Sequence, residues 1–460
     1  MTQTGLLINY SLKKVRESLI VSTPGPFGAF LKNESDNYGK IRMRARTQGK
    51  LNAMNSHMQT QNLSTRFADV TYDEAMRRAE ALLPLLREHA AAAERETRML
   101  PVIEAALHRA GLFRYHQPKA WGGMELDFIA YFDIPEMLAR GDCSVGWNVA
   151  NLSSHHRNVA HFCGEAQQEM WGENPDCLIS SGIAYFQGRG RPVDGGIRLS
   201  GRWSFCSGVD VSQWNMLGCQ VREDRSEQIL DYRYCMVRRE DFEIIDDWQT
   251  LGMRGTGSRS VRCEEVFVPA HRTQSMWAAK AGHEFPGLRI NTNPTFRVPA
   301  SSLGGHCIAG AICGNARAAL DDMIELVKSR STSYTGAKMR DFQSVQLRIG
   351  AAGAKIDAAR ALLRHDCLLA DALAKAGKPF DLELKVRNKR NCAAGIKLCS
   401  EAVDSLLELA GANGIYDSSP LQRRFRDAHA AAAHINFNLD VQLAPWALVT
   451  LGGEFKSPTM

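Results

Sequence analysis

The sequence predicts an α+β protein in three parts: an N-terminal helical domain, a central antiparallel β-barrel or sandwich, and a C-terminal antiparallel helical bundle. Apolar residues recur at helical spacing over 66–177 and again over 281–450, where Ala and Leu are abundant. Between them, residues 178–280 carry short alternating runs rich in Gly, Val, Ile, Trp and Tyr, which is typical of strands joined by tight turns. A chain of 460 residues is long enough for this division.

The first 65 residues differ in composition from the rest. They hold nine Lys or Arg and three acidic residues, whereas the remainder carries 47 basic and 47 acidic groups. We expect residues 1–65 to be a disordered arm or a translated upstream region whose natural start is Met54 or Met58, and the acidic residues disfavour a transit peptide. Because the body is neutral, it lacks the basic excess of a nucleic-acid-binding protein.

Local signals place the N-terminal helices. Thr71 and Glu74 have the spacing of a capping box, which predicts a helix start. A second helix is expected over 95–110, and Gly111 is typical of the residue that ends a helix. Apolar spacing predicts three further helices in this domain, over 127–139, 144–162 and 165–171.

The other two domains are predicted from a change in the spacing of apolar residues along the sequence. Alternation predicts strands such as 196–203 and 214–221. The spacing then returns to three and four residues, which predicts long helices over 300–330, 340–375, 382–410 and 420–436. Long helices in series imply an antiparallel bundle. Residues 451–460 form a tail.

Several classes of protein are excluded or disfavoured. No apolar run approaches the ~18 residues that cross a bilayer, so the sequence predicts no integral membrane protein. It has neither a Gly-x-Gly-x-x-Gly after a strand nor a Walker loop, which disfavours Rossmann and P-loop enzymes. The 12 Cys form no Cys-x-x-Cys pair, so no metal site is predicted, and scattered free Cys suit a reducing cytoplasm.

Six segments together resemble a known family. They occur in order at 118–126 (PKAWGGMEL), 143–148 (CSVGWN), 201–208 (GRWSFCSG), 248–258 (WQTLGMRGTGS), 266–269 (VFVP) and 423–428 (RRFRDA). The order of domains resembles the acyl-CoA dehydrogenase fold. Within that fold, the segments resemble the two-component (group D) flavin-dependent aromatic monooxygenases, similar to the oxygenase components of 4-hydroxyphenylacetate 3-hydroxylase and of steroid-ring phenol hydroxylases. The resemblance covers about 66–450.

This resemblance implies an oxygenase that takes reduced FMN or FAD from a separate flavin reductase. Oxygen would add to the flavin to give a C4a-hydroperoxyflavin, which hydroxylates a phenol or other small aromatic. The choice between FMN and FAD, and between oxygenation at C, N or S, stays open. The family also implies a homotetramer, and closed symmetry would bury the Ala-rich faces of the bundle. The alternatives are an acyl-CoA dehydrogenase, which needs a carboxylate such as Asp417 at the site, and a nucleic-acid-binding member of the fold that uses the basic arm.

The 201–208 segment supplies the first candidate cofactor residues. A strand bearing Trp203 runs into Phe-Cys-Ser-Gly, where Gly208 permits a close turn and Ser207 can direct its hydroxyl at a flat ligand. In the family, the matching Ser bonds the flavin near N5 and slows peroxide loss, which makes Ser207 a candidate catalytic residue. Cys206 and Trp203 are expected beside the ring, although core packing is the commoner role for Trp203.

The region after 423–428 distinguishes the two chemistries. Acyl-CoA dehydrogenases have a Glu after this motif that removes a substrate proton, and Ile435 occupies our best estimate of that position. His434 stands next to it, and the monooxygenases have a presumed substrate base here. An imidazole with a pKa near ~6.5 can take a phenol's proton near neutral pH. His429 is the secondary candidate, and His155 matches a family His on the substrate side of the ring.

Other residues are candidate flavin contacts. Arg297 resembles a family Arg that contacts reduced flavin, where a guanidinium would stabilise the anionic N1/C2 region or the phosphate. Ser180 and Ser181 open the first strand and either line the flavin or form an ordinary strand edge. The loop 254–259 gathers bare amides, hydroxyls and cations, so it either cradles phosphate or leads a strand beside the flavin, with Thr256 and Ser258 as contacts.

Overall fold

The computed structural model describes residues 66–223, 228–280 and 283–457. Within these ranges the predicted fold class is confirmed, because helices precede and follow a central β-sheet domain. The expectations for residues 1–65 lie outside the described residues. No helix in the described ranges is long and apolar enough to cross a bilayer.

The N-terminal helices match the predicted segments only in part: the helix expected over 95–110 is wrong at its start, because one helix ends at Glu96 and the next begins at Pro101. They are α1 (Tyr72–Ala81), α2 (Leu83–Glu96), α3 (Pro101–Ala110), α4 (Ala130–Ala139), α5 (Cys143–Val159) and α6 (Gly164–Gln167). The Thr71 hydroxyl accepts from the amide of Glu74 at 3.3 Å, as a helix N-cap does. The Glu74 carboxylate instead accepts from Arg78 at 2.8 Å. Only half of the predicted capping box therefore forms.

The central domain is a twisted eight-stranded sheet. Its strands are β1 (Ile179–Gly182), β2 (Gly188–Val193), β3 (Gly196–Trp203), β4 (Trp214–Arg222), β5 (Ile229–Arg238), β6 (Glu243–Ile245), β7 (Ser260–Pro269) and β8 (Thr273–Ser275). The order is β6-β7-β3-β2-β4-β5-β8, and β1 also pairs with β4. Most pairs are antiparallel, but β4 runs parallel to β1 and β2. Alternation within a strand does not specify this direction, which depends on the connections.

The remaining helices form the C-terminal bundle and its approach. They are α7 (Met276–Lys280), α8 (Ala300–Leu303), α9 (His306–Ser329), α10 (Gln343–Lys375), α11 (Leu382–Ala410), α12 (Pro420–Ala432) and α13 (Leu439–Thr450). Small residues allow α9 to lie directly against α4. A Cβ atom on Gly310 would come within 2.4 Å of the Phe132 carbonyl oxygen, and one on Gly314 within 2.0 Å of the Glu136 oxygen. The close helix contact therefore requires glycine at both positions.

The α5 helix is the central element of the molecule. Almost every residue of α5 is buried, because α4, α9, α12 and β1 all pack around it. Its polar residues, such as Asn148 and Arg157, are therefore buried as well. Asp142 caps its N-terminus by accepting from the Val145 amide at 3.2 Å. This enclosure fixes the positions of Trp147 and His155, which face the candidate site described below.

The cysteines are free thiols, and all but Cys163 are buried. They behave as small core residues. Among the residues that the structure describes, no group of three His, Cys, Asp or Glu is placed to hold a metal ion.

Candidate active site

A cavity of about 590 Å³ lies where the helical domains meet the sheet. Its size is that of a pocket for a small organic ligand. Each neighbouring element contributes a polar side chain to the wall. These are His155 from α5, Ser181 from β1, Arg297 from the turn before α8, His306 from α9, Lys389 from α11, and His434 from the segment after α12.

Strand β1 forms one wall, and its alternation decides which predicted residues face the cavity. Ser181 and Ile183 line the cavity. Ser180 points the opposite way, and its hydroxyl lies 3.5 Å from the carbonyl oxygen of Trp214. Successive strand residues face opposite sides of a sheet, so adjacent serines cannot both line one cavity. Ser181 is therefore a cavity residue and Ser180 is not, so of the two alternatives left open for these serines, Ser180 fits the ordinary strand residue.

Trp203 and Cys206 lie behind this wall. A Cβ atom on Gly182 would come within 2.6 Å of the Trp203 Cβ and 3.2 Å of the Cys206 sulfur. Trp203 is fully buried and donates from Nε1 to the carbonyl oxygen of Gly218 at 2.7 Å. Its role is core packing, and neither side chain lines the cavity.

His155 has one ring nitrogen engaged and one free. Nδ1 lies 2.6 Å from the carbonyl oxygen of Ile179. A carbonyl can only accept, so Nδ1 carries the ring proton and Nε2 has the lone pair. Burial lowers the pKa of His155 to about 4, although the bond to Ile179 opposes the shift. The imidazole is therefore neutral at pH 7.

His434 has the opposite tautomer. It lies beyond α12, which ends at Ala432 and not near 436 as its spacing predicts. Its Nδ1 accepts from the backbone amide of Asn436 at 3.2 Å and so caps the next turn. The proton of the neutral ring is therefore on Nε2. Burial lowers the pKa of His434 to about 4, so this ring is also neutral at pH 7.

His429 is not part of this site. Its Nε2 lies 2.6 Å from the carboxylate of Asp404 on α11, on a partly exposed face of the bundle. It does not line the cavity. Five positions along α12 and the following turn separate it from His434, so the two rings cannot face the same side of the helix.

Behind His434 lies a ladder of hydrogen bonds that includes Ser207. The Trp147 ring stands edge-on to His434, with 5.8 Å between the ring centroids. Trp147 Nε1 donates to the Ser207 hydroxyl at 3.1 Å. Ser207 and Ser258 share a bond of 2.8 Å, Ser258 and Thr256 one of 2.6 Å, and the Thr256 hydroxyl donates to the carbonyl of Met253 at 2.7 Å.

The two ends of this ladder set its direction. The Met253 carbonyl can only accept, so Thr256 gives its proton there and must accept from Ser258. Ser258 in turn accepts from Ser207. The hydroxyl proton of Ser207 is thus already donated to Ser258, and the Ser207 oxygen can only accept a further hydrogen bond. A ligand N–H group is the partner that fits this oxygen.

The loop 248–258 is held as a scaffold and is not an open phosphate cradle. Its Met253 amide donates to the buried carboxylate of Asp427 at 2.6 Å. The Arg259 guanidinium donates to Asp210 at 2.6 Å and Asp246 at 3.0 Å. Because two carboxylates neutralise it, Arg259 offers little charge to a phosphate. The phosphate-cradle alternative is therefore not supported here.

Arg297 lines the cavity near its exposed side. It is 2.8 Å from the carboxylate of Glu284, and both side chains are partly exposed. The turn that carries it is anchored from below by Arg157, a buried guanidinium that donates to the carbonyl oxygens of Thr295, Phe296 and Val298. Burial lowers the pKa of Arg157 to about 10, so it remains charged at neutral pH.

Trp147, Arg157 and Asp427 were not identified from the sequence as site residues. Trp147 lies in the 143–148 motif, but its partner Ser207 is 60 positions away. Asp427 lies in the 423–428 motif and contacts a loop 174 positions away. The motifs themselves are the only sequence signal for either contact.

The donors and acceptors present fit a reduced flavin. Ser207 offers an acceptor for a ring N–H, and the Oδ1 of Asn148, beside Thr256, is buried without a partner among the described residues. Gly208 has φ 70°. This left-handed backbone brings the chain close to the ladder without strain, because glycine has no Cβ.

Comparison with known proteins gives a consistent result. A model of the acyl-CoA dehydrogenase N-terminal domain matches residues 75–174, and one of the C-terminal domain matches residues 306–439. The chain is 35% identical to the oxygenase subunit HsaA of a flavin-dependent monooxygenase from Rhodococcus jostii, over 78% of this chain and 93% of that protein.

Two further matches extend the comparison. The chain is 31% identical to the oxygenase component of an FADH2-dependent resorcinol hydroxylase from Rhizobium sp., over 79% of this chain and 90% of that protein. Its fold superimposes on the crystal structure of the HsaA monooxygenase from Mycobacterium tuberculosis with a TM-score of 0.80 and 30% identity, covering 85% of this chain and 100% of the other.

Proposed function

Because the chain belongs to the flavin-dependent monooxygenase oxygenase components of the acyl-CoA dehydrogenase fold, we propose that it hydroxylates a phenol or related aromatic. The observation that carries this proposal is a cavity lined by two neutral imidazoles of opposite tautomer, His155 and His434. When bound, reduced flavin supplies two electrons to O2. A hydroxyl group that carries one oxygen atom replaces a ring hydrogen, and the other oxygen atom leaves as water.

His155 is the group best suited to accept the phenol proton. Its Nδ1 is committed to Ile179, so Nε2 is an unprotonated base with no partner among the described residues. Removing the phenol proton increases the electron density of the ring and makes it a better nucleophile. The neighbouring Ser181 hydroxyl lines the same wall and is placed to bind the phenol oxygen.

His434 is better suited to donate. With Nδ1 accepting from Asn436, its Nε2–H is the free group, which would bind an oxygen of the substrate or of O2-derived species. The sequence favours His434 as base because it stands beside Ile435. The tautomers instead support His155 in that role and leave His434 as the hydrogen-bond donor.

Ser207 and Arg297 would hold the reduced flavin. Ser207 accepts from a ring N–H, for the reason set by the direction of its ladder. Arg297 provides a cation for the anionic edge of the ring, once its contact with Glu284 is exchanged. Burial of this region excludes water, which limits loss of the activated oxygen as peroxide.

The dehydrogenase alternative has weaker support. Its chemistry needs a free carboxylate base at the substrate. Among the described residues that line the cavity, Glu284 is the single carboxylate, and it is paired with Arg297. Ile435, at the position expected for the dehydrogenase base, has no ionisable group.

Isotope labelling tests the proposed function. The protein, a flavin reductase, NADH and FMN are mixed with a phenol under ¹⁸O2, and product and H2O2 are measured. We expect one ¹⁸O atom in the hydroxylated ring and less H2O2 than in the absence of phenol. Unlabelled product, or bleaching of oxidised flavin by an acyl-CoA without oxygen, would overturn the assignment.

The proposal includes partners and assembly. A separate reductase supplies the flavin, as the name "oxygenase component" implies for the relatives. We propose a homotetramer in a reducing cytoplasm, supported by the exposed apolar residues of α13 and by the free thiols.

A further inference from the structure

A single face of α11 contributes to the wall of the cavity. Lys385, Lys389 and Cys392 all line it. Their spacing of four and then three residues places them along one stripe of a helix. The lysines are half-buried, so their ammonium groups belong to the cavity and not to the outer surface of the bundle.

These two lysines differ from the other cations of the cavity because they have no partner. Arg297 is paired with Glu284 at 2.8 Å, and Lys280 donates to the carbonyl oxygen of Ser457. Neither the Lys385 nor the Lys389 ammonium group has an ion pair or hydrogen bond among the described residues. Burial lowers the pKa of Lys389. An ammonium removed from water without a counter-charge destabilises the empty site, and an anion would relieve this cost.

Ser302 and His306, which also line the cavity, have hydrogen-bonding atoms without a partner. The Ser302 hydroxyl accepts from the Asn388 amide at 3.1 Å and keeps its own proton to donate. His306 is fully buried beside it, with Nε2 3.2 Å from Asp366, and its Nδ1 has no partner in the described part of the chain. Unpaired buried polar atoms are rare in folded proteins, and they mark places that a ligand or water completes.

We propose that Lys385 and Lys389 bind an anionic group, a carboxylate or phosphate, carried by the aromatic substrate. This inference rests on the proposed function, because it places the phenol at His155 and His434 and the anion at the two lysines of the same cavity. The phosphate of the flavin is the other possible source of an anion. Ser207, the expected contact of the flavin ring, does not line the cavity that holds the two lysines, which favours the substrate.

A matched pair of ligands tests the proposal: 3-(4-hydroxyphenyl)propanoate and the neutral 4-propylphenol. Binding is measured by calorimetry on the protein with reduced FMN under anaerobic conditions. Each lysine would make a charge-assisted hydrogen bond to the carboxylate. We therefore expect K389Q and K385Q each to weaken propanoate binding by roughly 10- to 100-fold. Binding of 4-propylphenol should change less than about twofold. K397Q is the control, since Lys397 lies on α11 but is exposed and close to Glu401.

A second arm identifies the source of the anion. The affinity of each variant for reduced FMN is compared with its affinity for reduced riboflavin, which lacks the phosphate. If the lysine variants weaken FMN selectively and leave the propanoate unchanged, the anion is the flavin phosphate and the proposal is overturned. Equal or undetectable binding of both phenols to the unmodified protein also overturns it. Neither result affects the proposed function, which fails separately if no phenol takes up ¹⁸O.

Discussion

At the scale of single residues, the direction of a hydrogen bond defines the chemistry more closely than the type of side chain. Ser207 is a hydroxyl that could donate or accept. Because Thr256 donates to the Met253 carbonyl, Ser258 must donate to Thr256 and Ser207 must donate to Ser258. Ser207 can then only accept a further hydrogen bond. In the same way, one backbone carbonyl and one backbone amide give His155 and His434 opposite tautomers. Both effects depend on groups that are distant in the sequence.

Replacing Ser207 with Ala should uncouple turnover while the protein stays folded. The change removes the acceptor for Trp147 Nε1 and leaves that N–H buried without a partner. We expect a loss of about 1–3 kcal/mol in unfolding free energy, because an unsatisfied buried donor keeps its full desolvation cost. The ratio of H2O2 to hydroxylated product should rise. An unchanged ratio at lower thermal stability would mean that Ser207 has a structural role alone.

Replacing the two histidines separately should give different pH dependences. In H155Q the proton acceptor is lost, so hydroxylation should slow by roughly 10²- to 10⁴-fold, the usual share of acid–base catalysis. This loss should diminish as pH approaches ~10, where the phenol ionises in solvent. H434Q keeps an amide donor and should lose less at every pH. A larger, pH-dependent loss in H434Q than in H155Q would identify His434 as the base. H429Q, which lies away from the cavity, is the control.

The unmodified protein should show no titration of either histidine near neutrality. Burial lowers both pKa values to about 4, so each ring stays neutral as pH falls from 8 to 6. The product-to-H2O2 ratio should therefore be flat over this interval. A step centred near the ordinary histidine pKa of ~6.5 would contradict the assigned environments.

At the scale of elements, the loop 248–258 depends on helix α12. Asp427 accepts from the Met253 amide at 2.6 Å, and a Cβ atom on Gly252 would come within 2.3 Å of the Arg426 carbonyl oxygen. The loop thus lies against the backbone of α12 with no space for a side chain. Since Thr256 and Ser258 belong to this loop, α12 supports the ladder as well as the nearby His434.

The Asp427 contact predicts an unusual pH dependence of stability. Burial raises the pKa of Asp427 from 3.8 to about 7. The folded protein then keeps a proton that the unfolded chain has lost, so this group makes the protein less stable as pH rises from about 4 to about 7. In D427N, the amide mimics the protonated acid and Oδ1 still accepts from Met253.

The melting temperatures of D427N and the unmodified protein should therefore agree near pH 4.5 and diverge above it. The variant should be the more stable form at pH 8, by a difference on the order of a few kcal/mol. Asp440, an exposed residue of α13, provides the matched control D440N. Parallel curves for D427N and the unmodified protein would show that Asp427 is ionised when folded.

At the scale of the whole molecule, α13 is the element whose sequence and burial disagree. Most of its residues are apolar, yet Gln442 is its single buried residue. Val441, Leu443 and Leu448 are 44%, 38% and 43% exposed. A helix with no polar face is normally covered on all sides, which supports association between copies of the chain.

Sedimentation should therefore show a species of about four times 51.0 kDa at micromolar concentration. L448R places a charge on the apolar face of α13 and should shift the population toward smaller species, while V102R, at an exposed position of α3, should not. A stable monomer of the unmodified protein would exclude the tetramer. An L448R tetramer would place the interface elsewhere.

The sequence by itself determined the order of helical, β and helical domains, the start of α1 at Thr71, the family, and the absence of a carboxylate beside His434. These features depend on local periodicity, capping and short motifs, which a few neighbouring residues carry. It did not determine which of Ser180 and Ser181 faces the cavity, which His holds a free lone pair, that Arg259 is neutralised by Asp210 and Asp246, or that two lysines of α11 line the cavity. Only the tertiary structure decided these, because each depends on strand register or on a partner tens of positions away.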